Sequence, residues 1–371
     1  MTGPDSADER RALREAVAAL MDKRSSETQV RDLMATDTGL DATTWADLAD
    51  MGLLGLSVPE EFGGAGAGHT EMGIVAEEMG RALLTGPFLS TAVLAPALLA
   101  AAGDAGEAAA VLPLIADGSA IVSLAFAEGA SATAPAEPAT SAMSDADGWH
   151  IDGEKNFVLD AAGADTIYVL ASAAAGPSVF AVERDAPGMD ALPLSTVDLT
   201  RKMYRVMFSH TPARLIGEPG TGSAVFDHAL QAGAVALLGD QAGGAQRVTR
   251  MAADYARTRF QFGRAIGSFQ AIKHMCADML VESESTISAA RHVAAAFDAA
   301  APSAAADLAL AQAYCAQAYV DVAATAIQVH GGIGFTWEHP VHLYLRRART
   351  DAQLFGEPAY HRERYLRLKG A

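Results

Sequence analysis

The first third of the chain repeats apolar residues with the period of an α-helix. One apolar stripe lies at Trp45–Ala49 and a longer one at Met72–Leu83. Alanine-rich runs then occupy residues 91–101 and 105–116. Apolar residues three and four positions apart are typical of amphipathic helices. The pattern therefore predicts an N-terminal helical domain over residues 1–118.

A different pattern begins near residue 119, where short apolar runs alternate with turn residues. The apolar runs are residues 121–126, 166–170 and 178–182. Short runs of this kind are typical of buried strands. Asp147-Gly148 and Asp152-Gly153 have the composition of hairpin turns, so we expect a turn at each. The sequence predicts a middle β-domain over residues 119–220.

Long helical patterns return in the last part of the chain. The run Ala224–Tyr255 is rich in small residues, among them Gly239 and Gly243. Small residues let neighbouring helices approach closely, although a glycine costs about 1 kcal/mol of helix propensity. We predict a C-terminal helical domain over residues 221–371. The order helical, β, helical favours an α+β fold and argues against a doubly wound sheet.

Length and composition set limits on the class of protein. The chain has 371 residues, and 50% of them are hydrophobic, which is enough for more than one packing unit. No uninterrupted apolar stretch reaches about 18 residues, so we expect no membrane span. The first residues are polar and acidic and contain no apolar signal core, so we expect a cytoplasmic protein.

The formal net charge of −18 argues against a nucleic-acid partner, because phosphate binding needs a concentrated basic face. Arg346, Arg347 and Arg349 form the main basic cluster, which we interpret as a solvated helix face or a set of salt bridges. Cys276 and Cys315 lack metal-site spacing and are interpreted as core thiols. We predict no metal site.

Several motifs in the last domain are more specific. They are Tyr255-Ala-Arg-Thr-Arg259-Phe-Gln-Phe262-Gly263, Ile266-Gly-Ser-Phe269-Gln270 and Gln328-Val-His-Gly331-Gly332-Ile-Gly-Phe335. In this order and spacing they resemble the C-terminal domain of acyl-CoA dehydrogenases. Val58–Gly64 and Glu77–Gly80 resemble the N-terminal domain of that family, and Gly153–Phe157 resembles its middle β-domain. The resemblance extends over nearly the whole chain.

The resemblance implies FAD as the cofactor, an acyl-CoA thioester as the substrate and an electron-transfer flavoprotein or a similar acceptor. It also implies a C-terminal four-helix domain and an assembly, usually a tetramer. In the family, the arginine at the place of Arg259 reaches the FAD diphosphate from a neighbouring subunit. A planar guanidinium suits this role because it makes bidentate bonds to phosphate.

Further cofactor contacts follow from the same resemblance. Gln328, Gly331 and Gly332 stand where the family meets FAD across an interface, and glycine lets backbone approach a ligand closely. The remaining candidate contacts are Phe157, Phe262, Phe269 and Gln270. Core packing is the alternative interpretation for Phe262 and Phe269.

The catalytic base is the least regular feature. The family reaction removes an α-proton with a desolvated glutamate while a hydride leaves the β-carbon. Ala359 stands at the usual place of that glutamate, and Gly233 stands at a second family location. The nearest carboxylates, Glu357 and Asp240, are therefore the candidate bases. An exposed loop charge and a polar group between helices are the alternatives for these two residues.

The flavin-facing part of the middle domain also departs from the family. Leu159 stands where a hydroxyl residue normally lies near the flavin, and Ala127–Thr133 lacks the usual phosphate-binding serine. Some actinobacterial acyl-CoA dehydrogenases acting on steroid side chains are α2β2 heterotetramers, and the ending Leu354–Arg362 is similar to theirs. The sequence thus resembles the subunit that donates contacts to a flavin bound by its partner.

Three other hypotheses remain open. The chain could be a self-sufficient homo-oligomeric dehydrogenase that uses Glu357 or Asp240. It could keep the fold but act on carrier-protein-bound substrates or in flavin monooxygenation, since loss of the base is compatible with either. It could also be a purely structural partner without chemistry of its own.

Overall fold

A computed structural model describes residues 4–370, with side chains described from residue 7 onward. Within these residues the chain forms eleven α-helices and nine β-strands, which confirms the predicted α+β fold. The helices are α1 Pro4–Arg24, α2 Glu27–Met34, α3 Ala42–Asp50, α4 His69–Arg81, α5 Ala95–Ala102, α6 Ala105–Ala116, α7 Gly222–Thr258, α8 Gln270–Asp298, α9 Ala304–His330, α10 Val341–Asp351 and α11 Pro358–Leu368. No helix in this part of the chain is long and apolar enough to cross a bilayer.

The strands lie between α6 and α8. They are β1 Val122–Ala125, β2 Ser141–Asp145, β3 Gly148–Leu159, β4 Thr166–Ala173, β5 Gly176–Glu183, β6 Met189–Pro193, β7 Met203–Ile216, β8 Phe260–Gln261 and β9 Arg264–Ala265. The first seven form one sheet, and β8 and β9 form a separate two-stranded hairpin.

The chain packs as two compact units. The first, here called the helical unit, contains residues 4–30, 69–84 and 234–370 of the described chain. The second, here called the barrel unit, contains residues 31–68 and 85–233. Both units combine segments that are distant in sequence, so they do not follow the three consecutive domains of the sequence analysis. The three-domain boundaries stay a prediction.

The barrel unit is built around a sheet that closes on itself. Its strand order is β1-β4-β2-β3-β7-β5, and β5 pairs with both β7 and β4. Side chains of Ile151, Ile167, Phe180 and Val206 are fully buried in its core. Burying one such side chain stabilises the fold by roughly 1.5–3 kcal/mol. Strand alternation thus places one face of β3, β4, β5 and β7 inside the closed sheet.

One of the two predicted hairpin turns is wrong. A two-residue turn, Ala146-Asp147, joins β2 to β3 within one residue of the predicted place, but Asp152-Gly153 lies inside β3. The pairing of β3 with β7 shifts register between Ile151 and Gly153, so Gly153 lies in a β-bulge. A Cβ at Gly153 would also lie 2.7 Å from the Cα of Thr140, which explains why this position needs glycine.

The helical unit depends on a close approach of α4 and α7. A Cβ at Gly80 of α4 would lie 2.2 Å from the carbonyl oxygen of Asp240 of α7. A Cβ at Gly243 of α7 would lie 1.8 Å from the carbonyl oxygen of Glu77 of α4. Any larger side chain would force the helices apart. The small-residue pattern of α7 therefore has the packing role that the sequence predicted.

Candidate flavin-binding surface

The hairpin of β8 and β9 displays the first candidate residues. Its two central residues, Phe262 and Gly263, have φ angles of 53° and 77°, as a two-residue type I′ turn requires. The turn projects the Phe262 ring into solvent, where it is 90% exposed. Phe262 is therefore not a core residue of this chain, which excludes the packing alternative for it.

Arg259 lies between the end of α7 and this hairpin. Its carbonyl oxygen accepts a hydrogen bond of 2.8 Å from the N–H of Ile266, which fixes the backbone at the base of the hairpin. Its side chain is exposed, and among the described residues none makes a hydrogen bond or an ion pair with its guanidinium. An exposed guanidinium without a partner is free to bind an external anion.

Phe269 and Gln270 follow at the start of α8. The Phe269 ring meets the Phe262 ring edge to face at 6.1 Å between centroids. The guanidinium of Arg264 also lies over the Phe269 ring, with 4.1 Å between its central carbon and the ring centroid. Phe269 is half-buried, whereas Gln270 is exposed. These contacts hold the hairpin against the beginning of α8.

The end of α9 brings the remaining candidates to the same region. Gln328 is exposed on the last turn of α9, and the helix closes at Gly331 with a φ of 63°. A Cβ at Gly331 or Gly332 would meet no atom within 4 Å, so the space above both glycines is open. The ring of His330 stacks on Tyr255 of α7 at 4.6 Å, which places the ends of α7 and α9 together.

We call this region the donor surface. It consists of Arg259, Phe262, Phe269, Gln270, Gln328, Gly331 and Gly332, all in the helical unit. Large exposed apolar side chains border it in sequence, namely Phe260, Phe335 and Trp337. A soluble monomer seldom exposes a group of large apolar side chains, and such groups commonly mark protein interaction sites.

In the barrel unit, two segments correspond to flavin-contacting motifs, namely the loop after β1 and strand β3. Hydrogen bonds join these two segments. Lys155 of β3 is fully buried, and its Nζ donates to Glu128 Oε1 at 2.6 Å and to the carbonyl oxygen of Phe126 at 3.3 Å. Burial lowers the pKa of Lys155 to about 8, against the opposing effect of Glu128. Phe157 follows at a second bulge of β3, half-buried, with a φ of 54°.

The same segments lack the hydroxyl groups that the family uses. Leu159 is buried and has no side-chain donor. The exposed Ser131 hydroxyl lies 2.7 Å from the hydroxyl of Thr133, so these two groups bond each other. The barrel unit therefore has an aromatic residue at the expected place, Phe157, but no hydroxyl two residues later.

Asp240, one candidate base, is held in a buried ion pair. Nη1 of Arg347 lies 3.1 Å from Asp240 Oδ1, and the Arg347 side chain is 1% exposed. Nη2 of Arg347 also donates to the carbonyl oxygen of Leu84 at 3.0 Å. A guanidinium at this distance stabilises the ionised carboxylate and weakens it as a base. This geometry favours a structural role for Asp240, and its assignment as a base stays a prediction.

Glu357, the other candidate base, immediately precedes α11. Its side chain is exposed and makes no capping hydrogen bond to that helix. A catalytic carboxylate with raised basicity needs a desolvated position, which this chain by itself does not give Glu357. Its catalytic role also stays a prediction.

One cluster was not found from the sequence. Asp145, His150 and His210 of the barrel unit each offer a ligand atom, and these atoms lie within 4.8 Å of one another. The residues have no motif spacing, because the pairing of three strands brings them together. A search for local metal-binding motifs could not have detected them.

The donor surface fits the group that the motifs imply. A dinucleotide carries a diphosphate, which suits the exposed guanidinium of Arg259, and the open backbone at Gly331 and Gly332 permits close approach. The chain also contains a closed β-sheet unit, and together these features fit an FAD-dependent dehydrogenase.

Comparison with known proteins identifies the family. Sequence profiles of the acyl-CoA dehydrogenase N-terminal, middle and C-terminal domains match residues 7–119, 123–209 and 220–367. The acyl-CoA dehydrogenase IpdE2 of Mycobacterium tuberculosis is 36% identical over 359 residues, which cover 96% of this chain and 95% of the relative. The chain belongs to the acyl-CoA dehydrogenase family, an oxidoreductase family with FAD as its cofactor.

Two solved structures share the fold over almost their full length. The ChsE4-ChsE5 complex from Mycobacterium tuberculosis matches with a TM-score of 0.88 and 27% identity, covering 100% of this chain and 98% of the other. A variant of the steroid acyl-CoA dehydrogenase Tcur3481-Tcur3483 matches with a TM-score of 0.88 and 28% identity, covering 98% of each chain.

Proposed function

We propose that this chain is the donating subunit of an α2β2 acyl-CoA dehydrogenase. In this assembly the partner subunit supplies the main flavin pocket and the base, and this chain completes the pocket through its donor surface. The observation that carries the proposal is the exposed guanidinium of Arg259, which has no partner among the described residues. The barrel unit of the same chain has Leu159 in place of the hydroxyl. The similarity to two proteins of two components each, ChsE4-ChsE5 and Tcur3481-Tcur3483, supports a heteromeric assembly.

The chemistry divides between the two subunits. Bound FAD supplies the acceptor for the hydride that leaves the β-carbon of the thioester. In this chain, Arg259 would hold the diphosphate, Gln328 would supply an amide to the cofactor, and Gly331 and Gly332 would let backbone come close. Neither Asp240, paired with Arg347, nor the exposed Glu357 has the environment of a strong base. The α-proton therefore passes to a carboxylate of the partner.

The proposed substrate is a CoA thioester of a steroid-derived acyl group. The support is the similarity to a steroid acyl-CoA dehydrogenase across the full chain. An electron-transfer flavoprotein or a similar acceptor would reoxidise the flavin. Both assignments can be tested with the assembled enzyme by comparing turnover of steroid and linear acyl-CoA thioesters with either acceptor.

The proposal predicts that flavin binding depends on a partner. The chain should be expressed alone and together with a second acyl-CoA dehydrogenase subunit encoded nearby, and the flavin absorbance per chain should be measured after purification. We expect flavin only in the co-expressed sample. Stoichiometric FAD in the chain purified alone, with reduction by an acyl-CoA thioester, would show a self-sufficient dehydrogenase instead.

A further inference from the structure

Three adjacent strands of the barrel unit meet at one polar cluster. Asp145 is the last residue of β2, His150 lies on β3, and His210 lies on β7, in a sheet where β3 is between β2 and β7. Met143 of β2 pairs with His150, and Pro212 of β7 pairs with it on the other side. The register therefore places all three side chains at the same end of these strands.

The backbone around the cluster is fixed by its own hydrogen bonds. Asp145 Oδ1 accepts from the N–H of Asp147 at 2.8 Å, while Oδ2 faces His150 Nδ1 at 3.4 Å. Asp152 Oδ1 accepts from the N–H of His210 at 2.7 Å. His210 has a φ of 48°, a conformation uncommon for a residue other than glycine. The Asp145 carboxylate and the His210 backbone are thus each fixed by a hydrogen bond, whereas the His210 ring is not.

The two imidazoles are stacked. Their centroids are 3.9 Å apart and their planes differ by 5°. His150 is mostly buried, whereas His210 and Asp145 are exposed, so solvent ions can reach the cluster. The ring lone pairs of a parallel stack do not converge, and binding one ion requires the exposed His210 ring to tilt about its side-chain torsions. The buried His150 stays fixed as the anchor.

We propose that Asp145, His150 and His210 form a binding site for a divalent transition-metal ion, with zinc as the best-suited ion. Two imidazoles and a carboxylate are ligands that zinc accepts in tetrahedral geometry, with the fourth position left to water. The ion would join the β2–β3 hairpin to β7 and so stabilise the barrel unit. This role is separate from the donor surface, whose residues all belong to the helical unit.

The test uses the purified full-length protein together with any partner and flavin that it retains. After chelator treatment and dialysis, zinc chloride is titrated by isothermal calorimetry, and the thermal unfolding midpoint is measured with and without zinc. We expect one zinc ion per chain and a higher midpoint with zinc, because a ligand that binds only the folded state stabilises it.

Two variants and one control distinguish zinc binding at this cluster from non-specific zinc binding elsewhere on the protein. His210→Asn removes an imidazole but keeps a residue that tolerates positive φ. Asp145→Asn keeps the acceptor for the Asp147 N–H. Each should weaken zinc binding by about 10-fold or more, since even outer-shell changes at metal sites cost about that much. His228→Asn, at an exposed position of α7, should bind zinc like the wild type.

The proposal is overturned if no stoichiometric zinc binds at concentrations well above that of the protein. It is also overturned if His210→Asn and Asp145→Asn, shown by circular dichroism to be folded, bind zinc as the unchanged chain does. Binding lost in His228→Asn but kept in the other two variants would place the metal elsewhere.

Discussion

Two exposed arginines, Arg257 at the end of α7 and Arg259 just after it, differ in their partners. Arg257 pairs with Asp254 at 2.8 Å, whereas the guanidinium of Arg259 has no partner among the described residues. We predict that Arg259→Ala in the assembled enzyme loosens FAD by about 2–5 kcal/mol, because the diphosphate loses its charge partner in a desolvated interface. Flavin retention after dialysis measures this effect.

Arg257→Ala is the matched control for that experiment. It removes an exposed arginine at nearly the same place and should leave flavin occupancy unchanged. Arg259→Lys should give an intermediate loss, since lysine keeps the charge but cannot bind in a bidentate manner. Equal flavin retention in Arg259→Ala and the wild type would contradict the cofactor assignment of Arg259.

His361 gives the helical unit a defined pH dependence. Burial, reinforced by the charge of Arg364, lowers the pKa of His361 from 6.5 to about 4, and a backbone hydrogen bond of Gly356 opposes this. As the pH falls, His361 is therefore protonated near pH 6.5 in the unfolded chain but only near pH 4 in the folded chain. Stability contributed by the neutral ring is present above pH 6.5 and is lost as the pH falls.

We therefore predict that the free energy of unfolding falls more steeply in the wild type than in His361→Gln between pH 7 and pH 5. One pKa unit corresponds to about 1.4 kcal/mol, so the difference in loss should be roughly 2 kcal/mol at pH 5. Urea unfolding at each pH measures it, and His228→Gln, an exposed histidine, should behave as the wild type. Parallel curves for His361→Gln and wild type would refute this assignment.

Glu357 allows a direct test of where the base lies. If the partner supplies the base, Glu357→Gln in the assembled enzyme should keep its turnover with acyl-CoA, because the exposed side chain does no proton transfer. Steady-state kinetics with an artificial electron acceptor would measure this. A fall in turnover of several orders of magnitude at unchanged FAD content would instead locate the base in this chain.

At the scale of elements, Glu128 and Lys155 join a long loop to β3. Glu128 accepts from Lys155 and also from the N–H groups of Ala139 and Thr140, at 2.7 and 3.0 Å. Lys155→Met leaves this half-buried carboxylate without its cation, and solvent and the two N–H donors keep the cost below the roughly 3–5 kcal/mol of a fully buried pair. We predict a lower urea midpoint for this variant, measured by circular dichroism.

The double variant Glu128→Gln with Lys155→Met is the control. It removes both charges, so it should be more stable than Lys155→Met alone, although the two backbone N–H groups then bond an uncharged amide. If both variants unfolded at the same midpoint, the lysine would not be compensating the glutamate charge.

The element scale also shows how far sequence patterns reach. Periodicity located the helices at residues 42–50, 69–81 and 222–258 and the strands at 166–173 and 176–183 to within a few residues. The bulge at Gly153 was missed because a turn dipeptide and a bulge have the same local composition. The buried pair of Asp240 and Arg347 depends on helix packing over a long sequence separation, which no local pattern contains.

At the scale of the whole molecule, segments that are neighbours in sequence belong to different compact units. Residues 69–84 pack with the C-terminal helices, while residues 31–68 pack with the β-strands. Hydrophobic periodicity shows which face of an element is buried but not which distant element covers it. The same limit explains the metal-ligand cluster, whose members Asp145, His150 and His210 meet only through strand register. Family motifs supplied the candidate residues of the donor surface, and their role in binding flavin stays a prediction.

Large exposed apolar side chains border the donor surface in sequence, which supports the proposal that a second chain covers it. Phe260, Phe335 and Trp337 would lose contact with water on assembly, and burying each large apolar side chain contributes roughly 1.5–3 kcal/mol. A self-sufficient homo-oligomer would cover the same face with a copy of this chain. The composition of the assembly therefore distinguishes the two arrangements.

Native mass spectrometry of the co-purified assembly measures that composition and the flavin content together. If this chain donates to flavin bound by a partner, the spectrum will show two copies of this chain, two copies of the partner and two FAD molecules. A particle made of four copies of this chain and carrying four FAD molecules would contradict the donor role.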